Sequence, residues 1–254
     1  MTAAETAILL TLDDGAPVEC VNPQGRGDVV LVCEHASPFI PEALADLGLS
    51  ADDRMSHAVW DPGALDVARA MSAALDAPLV AARVSRLVYD CNRPPDATDA
   101  MPETSEVVEI PGNRGLTAQD RRIRTAQVYE PFRQKLAETL AANPQAALVT
   151  VHSFTPVWHG QQRAAEIGLL HDVDPALAMS MLHAAANLPA RVELNVPYDA
   201  TDGVTHTLRV HGNGRRNVMI EIRNDLIATP EAAAKMGQSL AAVVNKALNQ
   251  GAQG

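Results

Sequence analysis

Residues 28–37, DVVLVCEHAS, carry the clearest indication of fold class in this sequence. The apolar run VVLVC stands immediately before a glutamate and a histidine, and no polar residue interrupts it. An uninterrupted run of this length is typical of a parallel strand that is covered on both faces. We therefore expect a buried strand that leads into a loop at His35, where open α/β sheets place their ligands.

Strands and helices alternate around this strand. Residues 1–27 contain scattered Pro and Gly and are predicted to be irregular. Downstream, Asp61 and Pro62 precede the amphipathic stretch GALDVARAMSAALD, which predicts a helix with Asp61 as its N-cap and Pro62 at the first helical position. PLVAARVSRLVYD predicts two short strands, and residues 91–116, rich in proline, predict a long loop.

The second half of the chain continues this alternation. A long helix is predicted from about residue 117 to residue 142, and AALVTVHS and NVMIEIRND predict two further strands. The segments EIGLLHD, RVELN and THTLRVH are weaker strand candidates around a helix near residues 175–187, and an Ala-rich helix follows at about 230–249. The pattern favours one three-layer α/β/α sandwich over residues 1–254, with a mostly parallel or mixed sheet.

Charge and cysteine usage narrow the classes of function. A formal net charge of −11 disfavours nucleic acid and anionic membranes as partners, so we expect a small molecule instead. The three cysteines form no C-x-x-C pair, which favours a reducing, cytoplasmic location. The first residues lack the basic region of a signal peptide, and no apolar run is long enough to span a membrane.

Arginine greatly outnumbers lysine among the basic residues. Only three of the 20 basic residues are lysines, and seven arginines lie between Arg83 and Arg124. Arginine binds carboxylates through two parallel hydrogen bonds, so the cluster favours recognition of a small anionic substrate. The alternative is that richness in Ala and Arg reflects codon usage alone.

Three predicted strands end on ionisable residues. These endings are Glu34 with His35, His152 with Ser153, and Glu221 with Arg223. Any one of them is explained more simply by a side chain bonded to nearby backbone. Because parallel strands bring their carboxyl ends to one edge of a sheet, the three together predict two histidines and a carboxylate near one point.

Asp61 has two possible roles. As a helix N-cap it would need no further explanation. As a metal ligand it would join two histidines and leave zinc an open position for water, which is the arrangement of a hydrolytic site. There is no H-E-x-x-H motif, so the metal hypothesis depends on the expected geometry of the sheet.

Seven segments resemble the ordered blocks of the N-formylglutamate amidohydrolase family. They are CEHASPFIP, HAVWDPGA, SRLVYDCNRP, PGNRGLT, VHSFTP, NVPYDATDGVTHTLRVHG and IEIRNDLI, and they span residues 33–227. Each block alone is weakly specific, whereas seven in order are highly specific. The resemblance implies a fold similar to zinc carboxypeptidases and related deacylases. It also implies metal-dependent hydrolysis of N-formyl-L-glutamate to formate and L-glutamate.

The resemblance implies roles for individual residues as well. His35, Asp61 and His152 resemble the metal-binding set, and Glu221 resembles the catalytic carboxylate. The metal would be divalent, with zinc as the first candidate, although such ligands also suit cobalt, iron or manganese. The alternative functions are a related deacylase or carboxypeptidase-like hydrolase acting on another N-acyl or γ-glutamyl compound, and a non-catalytic binder of acidic metabolites.

Several polar residues are candidates for binding the substrate. In SRLVYDCNRPPD, Arg86, Asn92 and Arg93 are placed to hold carboxylates, with Asp90 as an orienting partner. The alternative for Arg93 is an ion pair with Asp90 or Asp96 that only staples the loop.

Two further candidates follow from strand alternation and from the family blocks. Arg223 lies two residues after Glu221, so both side chains would share one face of the strand; the alternative is an ion pair between them. His206 is favoured over His211 for a substrate contact because of its place in a family block.

Overall fold

The computed structural model describes residues 8–198 and 200–250. A seven-stranded sheet forms its centre. The strands are β1 Val18–Val21, β2 Val29–Cys33, β3 Leu79–Ala82, β4 Thr104–Ser105, β5 Val108–Glu109, β6 Ala147–Phe154, β7 Val157–Trp158, β8 Gln161–Gln162, β9 Ile167–Leu170, β10 Val192–Leu194 and β11 Asn217–Arg223. The α-helices are α1 Ala64–Leu75, α2 Ala118–Arg124, α3 Glu130–Ala142, α4 Ala176–Ala184, α5 His206–His211 and α6 Pro230–Gln250.

The central sheet is mixed, with a parallel centre. Its strand order is β1-β3-β2-β6-β11-β9-β10, and the four adjacent strands β3, β2, β6 and β11 run parallel to one another. Strand β1 pairs antiparallel with β3, and β9 pairs antiparallel with β11. The remaining strands form two separate hairpins, β4-β5 and β7-β8. The carboxyl ends of the four parallel strands therefore meet at one edge.

Helices cover both faces of the sheet. On one face the apolar side chains of α1, α4 and α6 pack on alternate strand residues such as Val29 and Leu31. On the other face α3 packs on the intervening residues, including Val30 and Val32. Because both sets are buried, β2 needs an apolar residue at every position, as its sequence predicts. The predicted three-layer α/β/α fold is confirmed.

The predicted long helix is also confirmed, with one local irregularity. Thr117 accepts a hydrogen bond from the backbone N–H of Asp120, whose carboxylate accepts one from the backbone N–H of Thr117, so a capping box starts the helix. A π-helical turn, Thr125–Tyr129, joins α2 to α3 without a break. None of the helices in the described part of the chain is both long and apolar enough to cross a membrane.

Three secondary-structure predictions are wrong. Residues 1–27 are not wholly irregular, since β1 lies among them; residues 1–7 fall outside the described part. VSRLVYD forms turns, not a strand, because Ser85 accepts hydrogen bonds from the backbone N–H groups of Leu87 and Val88. THTLRVH forms the short helix α5 rather than a strand, with Thr207 and Leu208 buried on one face.

Candidate metal centre

Two of the predicted site residues lie side by side on neighbouring strands. His152 in β6 is the register partner of Glu221 in β11, and each stands two residues before the end of its strand. His35 follows the end of β2, the other neighbour of β6. The parallel centre of the sheet thus gathers all three residues at its carboxyl edge, as the strand endings predict.

The loop before α1 delivers Asp61 to the same edge. The backbone N–H of Asp61 donates to the carbonyl of His35 at 2.9 Å, which ties the loop to the end of β2. Gly63 then turns the chain into the helix with a φ of 80°, and an added Cβ there would lie 2.6 Å from the Ile227 carbonyl oxygen. The helix begins at Ala64 and its N-cap is Gly63, so the predicted capping role of Asp61 is wrong.

Three ligand atoms converge in this cluster. Asp61 Oδ2 lies 3.2 Å from His35 Nδ1 and 2.9 Å from His152 Nδ1, and the two Nδ1 atoms are 3.2 Å apart. All three residues are buried. Atoms that each lie about 2 Å from one zinc ion in tetrahedral geometry are roughly 3–4 Å apart, so His35, Asp61 and His152 can hold a metal ion.

The outer nitrogen of each imidazole faces a carboxylate. His35 Nε2 lies 2.7 Å from Asp90 Oδ1, and His152 Nε2 lies 3.1 Å from Glu34 Oε2. Carboxylates in this position fix the ring orientation of metal-binding histidines and increase their basicity. In both rings Nδ1 points to the centre of the cluster.

Arg86 links the two aspartates of the cluster. Its Nη1 lies 3.3 Å from Asp61 Oδ1 and its Nη2 lies 3.1 Å from Asp90 Oδ2. Burial opposes ionisation of Asp90, but the charges of His35 and Arg86 hold the pKa of its carboxyl well below the usual range. The guanidinium therefore helps to keep Asp90 charged and forms an ion pair with both aspartates.

The electrostatics of the cluster favour a cation at its centre. Burial alone would lower the pKa of His152, yet the charge of Glu34 and the hydrogen bond to Asp61 raise it well above the usual value. Burial likewise opposes the charge on Asp61, while His35 and His152 lower the pKa of its carboxyl. The surrounding carboxylates thus stabilise positive charge among the three ligand atoms, a charge that protons or a divalent metal can supply.

Glu221 is a carboxylate held beside the cluster without a partner of its own. It is only 5% exposed, and its Oε2 has no hydrogen-bond partner in the described structure. Burial raises the pKa of Glu221 to about 7, with the charge of His152 opposing that shift. A carboxylate with such a pKa is suited to take up and release a proton near neutral pH.

A cavity of about 740 Å³ opens over this cluster. Seven of the predicted site residues line it: His35, Asp61, Arg86, Asn92, Arg93, His152 and Glu221. Two of these side chains bind other residues of the protein: the Asn92 amide donates to the Val204 carbonyl, and Arg93 forms an ion pair with Asp99 at 2.9 Å. The partner of Arg93 is thus neither Asp90 nor Asp96, the two that the sequence suggested.

Two predicted substrate-binding residues are not among the described residues that line the cavity. Arg223 pairs with Asp225 at 2.8 Å and with Glu166 at 3.4 Å, rather than with Glu221. His206 lies in α5 with its Nε2 2.8 Å from the hydroxyl of Tyr129.

Sequence reasoning missed two groups of residues at this site. Glu34 faces His152, and the sequence marks it only as part of a strand ending. Strand alternation places Glu34 on the same face as Val30 and Val32, where a buried carboxylate requires a partner. The hairpin residues Trp158 and Arg163 also line the cavity, and no local motif marks them.

Comparison with known proteins gives this geometry a family context. The family model described as N-formylglutamate amidohydrolase matches residues 27–228, and no curated protein matches the chain. The crystal structure of a gene product from Agrobacterium tumefaciens is 49% identical, with a TM-score of 0.93 over 96% of this chain and 99% of that one.

A second crystal structure shares the fold at lower sequence identity. It is that of N-formylglutamate amidohydrolase from Ralstonia eutropha, which is 18% identical with a TM-score of 0.68, over 94% of this chain and 100% of that one. The family model spans most of the chain and includes His35, Asp61, His152 and Glu221. This chain therefore belongs to the N-formylglutamate amidohydrolase family.

Proposed function

We propose that this protein is a metal-dependent amidohydrolase that cleaves the N-acyl amide of an acidic amino acid. Its proposed substrate is N-formyl-L-glutamate, and the products are formate and L-glutamate. The family membership supports amide hydrolysis as the reaction.

One observation carries the proposal for the metal. Three buried ligand atoms, two of them imidazole nitrogens, lie within 3.2 Å of one another, and a partnerless carboxylate stands beside them. Two histidines and one carboxylate are a ligand set of hydrolytic zinc sites, in which the fourth position is open. A bound divalent ion would supply a water of lowered pKa and polarise the scissile carbonyl.

The protein's own groups would manage the protons. Glu221, with its raised pKa, takes a proton from the attacking water and returns it to the nitrogen of the departing amine. Asp90 holds the His35 imidazole through a hydrogen bond at 2.7 Å, Glu34 lies 3.1 Å from the outer nitrogen of His152, and Arg86 forms an ion pair with Asp61. Glu221 also counts against a non-catalytic binder, because a binding site gains nothing from a buried carboxylate without a partner.

The proposed partners and location follow from charge and cysteine chemistry. A chain with a net charge of −11 repels anions in general, so an anionic substrate requires local positive charge in the cavity, and arginines line it. Nucleic acid and membranes are not proposed as partners. The three free cysteines support a cytoplasmic location.

Metal analysis combined with an activity screen tests this proposal. The purified protein is expected to carry about one divalent ion and to hydrolyse N-formyl-L-glutamate faster than N-acetyl and N-succinyl derivatives of Glu and Asp. Chelation should abolish the activity, and zinc, cobalt, iron or manganese should restore it. Faster turnover of another N-acyl group would overturn the substrate, and full activity after complete metal removal would overturn the metal.

A further inference from the structure

Arg163 lies on the wall of the active-site cavity, at the base of the β7-β8 hairpin. The backbone N–H of Arg163 donates to the Pro156 carbonyl at 2.8 Å and closes the hairpin that follows β6. Its side chain lines the same cavity as His35 and Glu221. The strand that carries His152 therefore leads directly into the segment that carries this arginine.

Three aromatic rings surround the guanidinium of Arg163. Its Cζ atom lies 5.4 Å from the ring centre of Phe154, 5.0 Å from that of Trp158 and 4.9 Å from that of Tyr198. The chain has only two Trp, three Tyr and three Phe residues, and one of each contacts this group. Stacking against ring faces holds the guanidinium in place but does not use its in-plane N–H donors.

The other arginines of the cavity are already paired with carboxylates. Arg86 bridges Asp61 and Asp90, and Arg93 pairs with Asp99. Among the described residues, Arg163 has no carboxylate partner. Its guanidinium donates to the Tyr198 hydroxyl at 3.1 Å and, at the limit of 3.5 Å, to the Thr155 carbonyl, which leaves most of its five N–H donors available.

A purely structural role would not explain this combination. An arginine that only braced the hairpin would be expected to use its donors on backbone carbonyls, as Arg124 does with Val88 and Gly112. Arg163 instead keeps a positive charge beside a cavity whose other arginines are neutralised by aspartates. A site built in this way fits an anion that brings its own acceptor oxygens.

We propose that Arg163 binds a carboxylate of the N-acyl amino acid and so determines specificity for acidic substrates. This inference rests on the proposed function, and it names the group that recognises the substrate. The planar fork of the guanidinium matches a carboxylate with two parallel hydrogen bonds, and the aromatic cage reduces the entropy lost on binding. N-formyl-L-glutamate offers two such carboxylates, the α-carboxylate and the side-chain one.

The test compares three substrates that differ in these carboxylates. They are N-formyl-L-glutamate, N-formyl-L-glutamine, which lacks the side-chain carboxylate, and the α-amide of N-formyl-L-glutamate, which lacks the other. We expect Arg163→Gln to lower kcat/KM for N-formyl-L-glutamate by roughly 30- to 100-fold, the scale of a lost charge-assisted hydrogen bond. One of the two amides lacks the carboxylate that Arg163 binds, and for that amide the same variant should change kcat/KM by less than about threefold. Its near-normal turnover would show that the rest of the site is intact.

Two further variants sharpen the result. Arg163→Lys keeps the charge but loses the fork, so it should lower kcat/KM for N-formyl-L-glutamate by about tenfold. Arg83→Gln is the matched control, because Arg83 is exposed, does not line the cavity, and its loss changes the net charge equally. An equal loss of kcat/KM for all three substrates in Arg163→Gln would show that Arg163 has a structural role only. Wild-type values for all three would exclude it from the site.

A binding measurement separates failure of this inference from failure of the proposed function. Calorimetry in a Glu221→Gln background gives the Kd for N-formyl-L-glutamate without turnover, and adding Arg163→Gln should weaken binding at least tenfold. If the wild type hydrolyses none of the three compounds, the proposed function fails. In that case the Kd values of the wild type and of Arg163→Gln, measured by the same calorimetry, still show whether Arg163 binds the carboxylate. An unchanged Kd, or no binding to the wild type, would overturn the inference.

Discussion

Two arginines of one cavity have opposite surroundings. On the cavity floor, formed by His35, Asp61, Asp90, His152 and Arg86, the arginine is fixed between two aspartates. On the cavity wall, formed by Trp158, Tyr198 and Arg163, the arginine lies against aromatic rings and has no carboxylate partner among the described residues. Charge on the floor is thus satisfied within the protein, whereas charge on the wall remains available to a ligand.

Lining a cavity and binding a substrate are therefore separate properties of a charged residue. A buried ion pair costs desolvation energy and is worth retaining where it holds a reactive group in position. An arginine stacked on aromatic rings keeps its hydrogen-bonding edge free at little cost. We therefore expect floor substitutions to impair all substrates alike and wall substitutions to discriminate among them.

The largest effect is expected for Asp61→Asn. The amide keeps the shape of the side chain but removes the negative charge that the two histidines surround. Metal content should fall well below one ion per chain, and kcat/KM should fall about 10³-fold or more for every substrate, since a catalytic metal contributes several kcal/mol. Atomic absorption and kinetics on the same sample measure both, and retention of metal with normal turnover would contradict the floor assignment.

Glu221→Gln is expected to separate chemistry from metal binding. Glu221 stands beside the three ligands without being one of them, so the variant should keep its metal and its fold. Its kcat should fall by about 10²-fold or more, the usual contribution of a positioned acid–base group. Near-normal kcat in a folded, metal-loaded variant would falsify the general-base role.

The same substitution should stabilise the metal-free protein at alkaline pH. Folding raises the pKa of Glu221 to about 7, so this carboxyl group stabilises the fold while it is protonated. That contribution is complete below its unfolded-state pKa and is lost as the pH rises through about 7. The free energy of unfolding of metal-free Glu221→Gln, measured relative to that of the wild type, should rise by about 2 kcal/mol between pH 5 and pH 8, at roughly 1.4 kcal/mol per pKa unit.

Urea unfolding at the two pH values measures this gain. Asp225→Asn is a suitable control, because Asp225 is an exposed partner of Arg223 outside the cavity. A difference between Glu221→Gln and the wild type that stayed constant with pH would show that the carboxyl group is not perturbed by folding.

The smallest of these effects is expected for Arg86→Lys. Lysine keeps the charge but cannot reach Asp61 and Asp90 with two separate nitrogens, so both aspartates lose part of their support. Metal affinity and kcat/KM should fall by about tenfold, the lower end of the range for groups that support metal ligands. The loss in kcat/KM should be the same for N-formyl-L-glutamate and its two amides, in contrast to Arg163→Lys. A loss confined to N-formyl-L-glutamate would instead assign carboxylate binding to Arg86.

The sequence predicts the part of the site that strands carry. Apolar runs locate β2, β6 and β11, and parallel pairing then brings His35, His152 and Glu221 to one edge. Loop residues are harder to place, because their position depends on contacts that no local pattern encodes. Asp61 has the sequence context of a helix cap, and only the tie to the His35 carbonyl and the turn at Gly63 direct it to the histidines.

The cavity wall and α5 show the limit of local patterns more clearly. Arg163 gains its surroundings from Tyr198, 35 residues away in the chain, and from a hairpin of two-residue strands too short to show periodicity. The segment THTLRVH has polar and apolar residues at spacings that fit a strand or a short helix, and burial of Thr207 and Leu208 decides between them. Tertiary contacts, rather than propensity, fix both regions.

Anomalous diffraction from zinc-soaked crystals shows directly whether the cavity floor binds a metal ion. We expect one strong peak about 2.0–2.2 Å from His35 Nδ1, His152 Nδ1 and Asp61 Oδ2, with the Nε2 atoms still directed at Asp90 and Glu34. The use of Nδ1 by both histidines is the specific signature of this arrangement. A zinc ion held through Nε2, a peak located elsewhere, or no zinc bound at this cluster would show that His35, Asp61 and His152 do not form the proposed metal site.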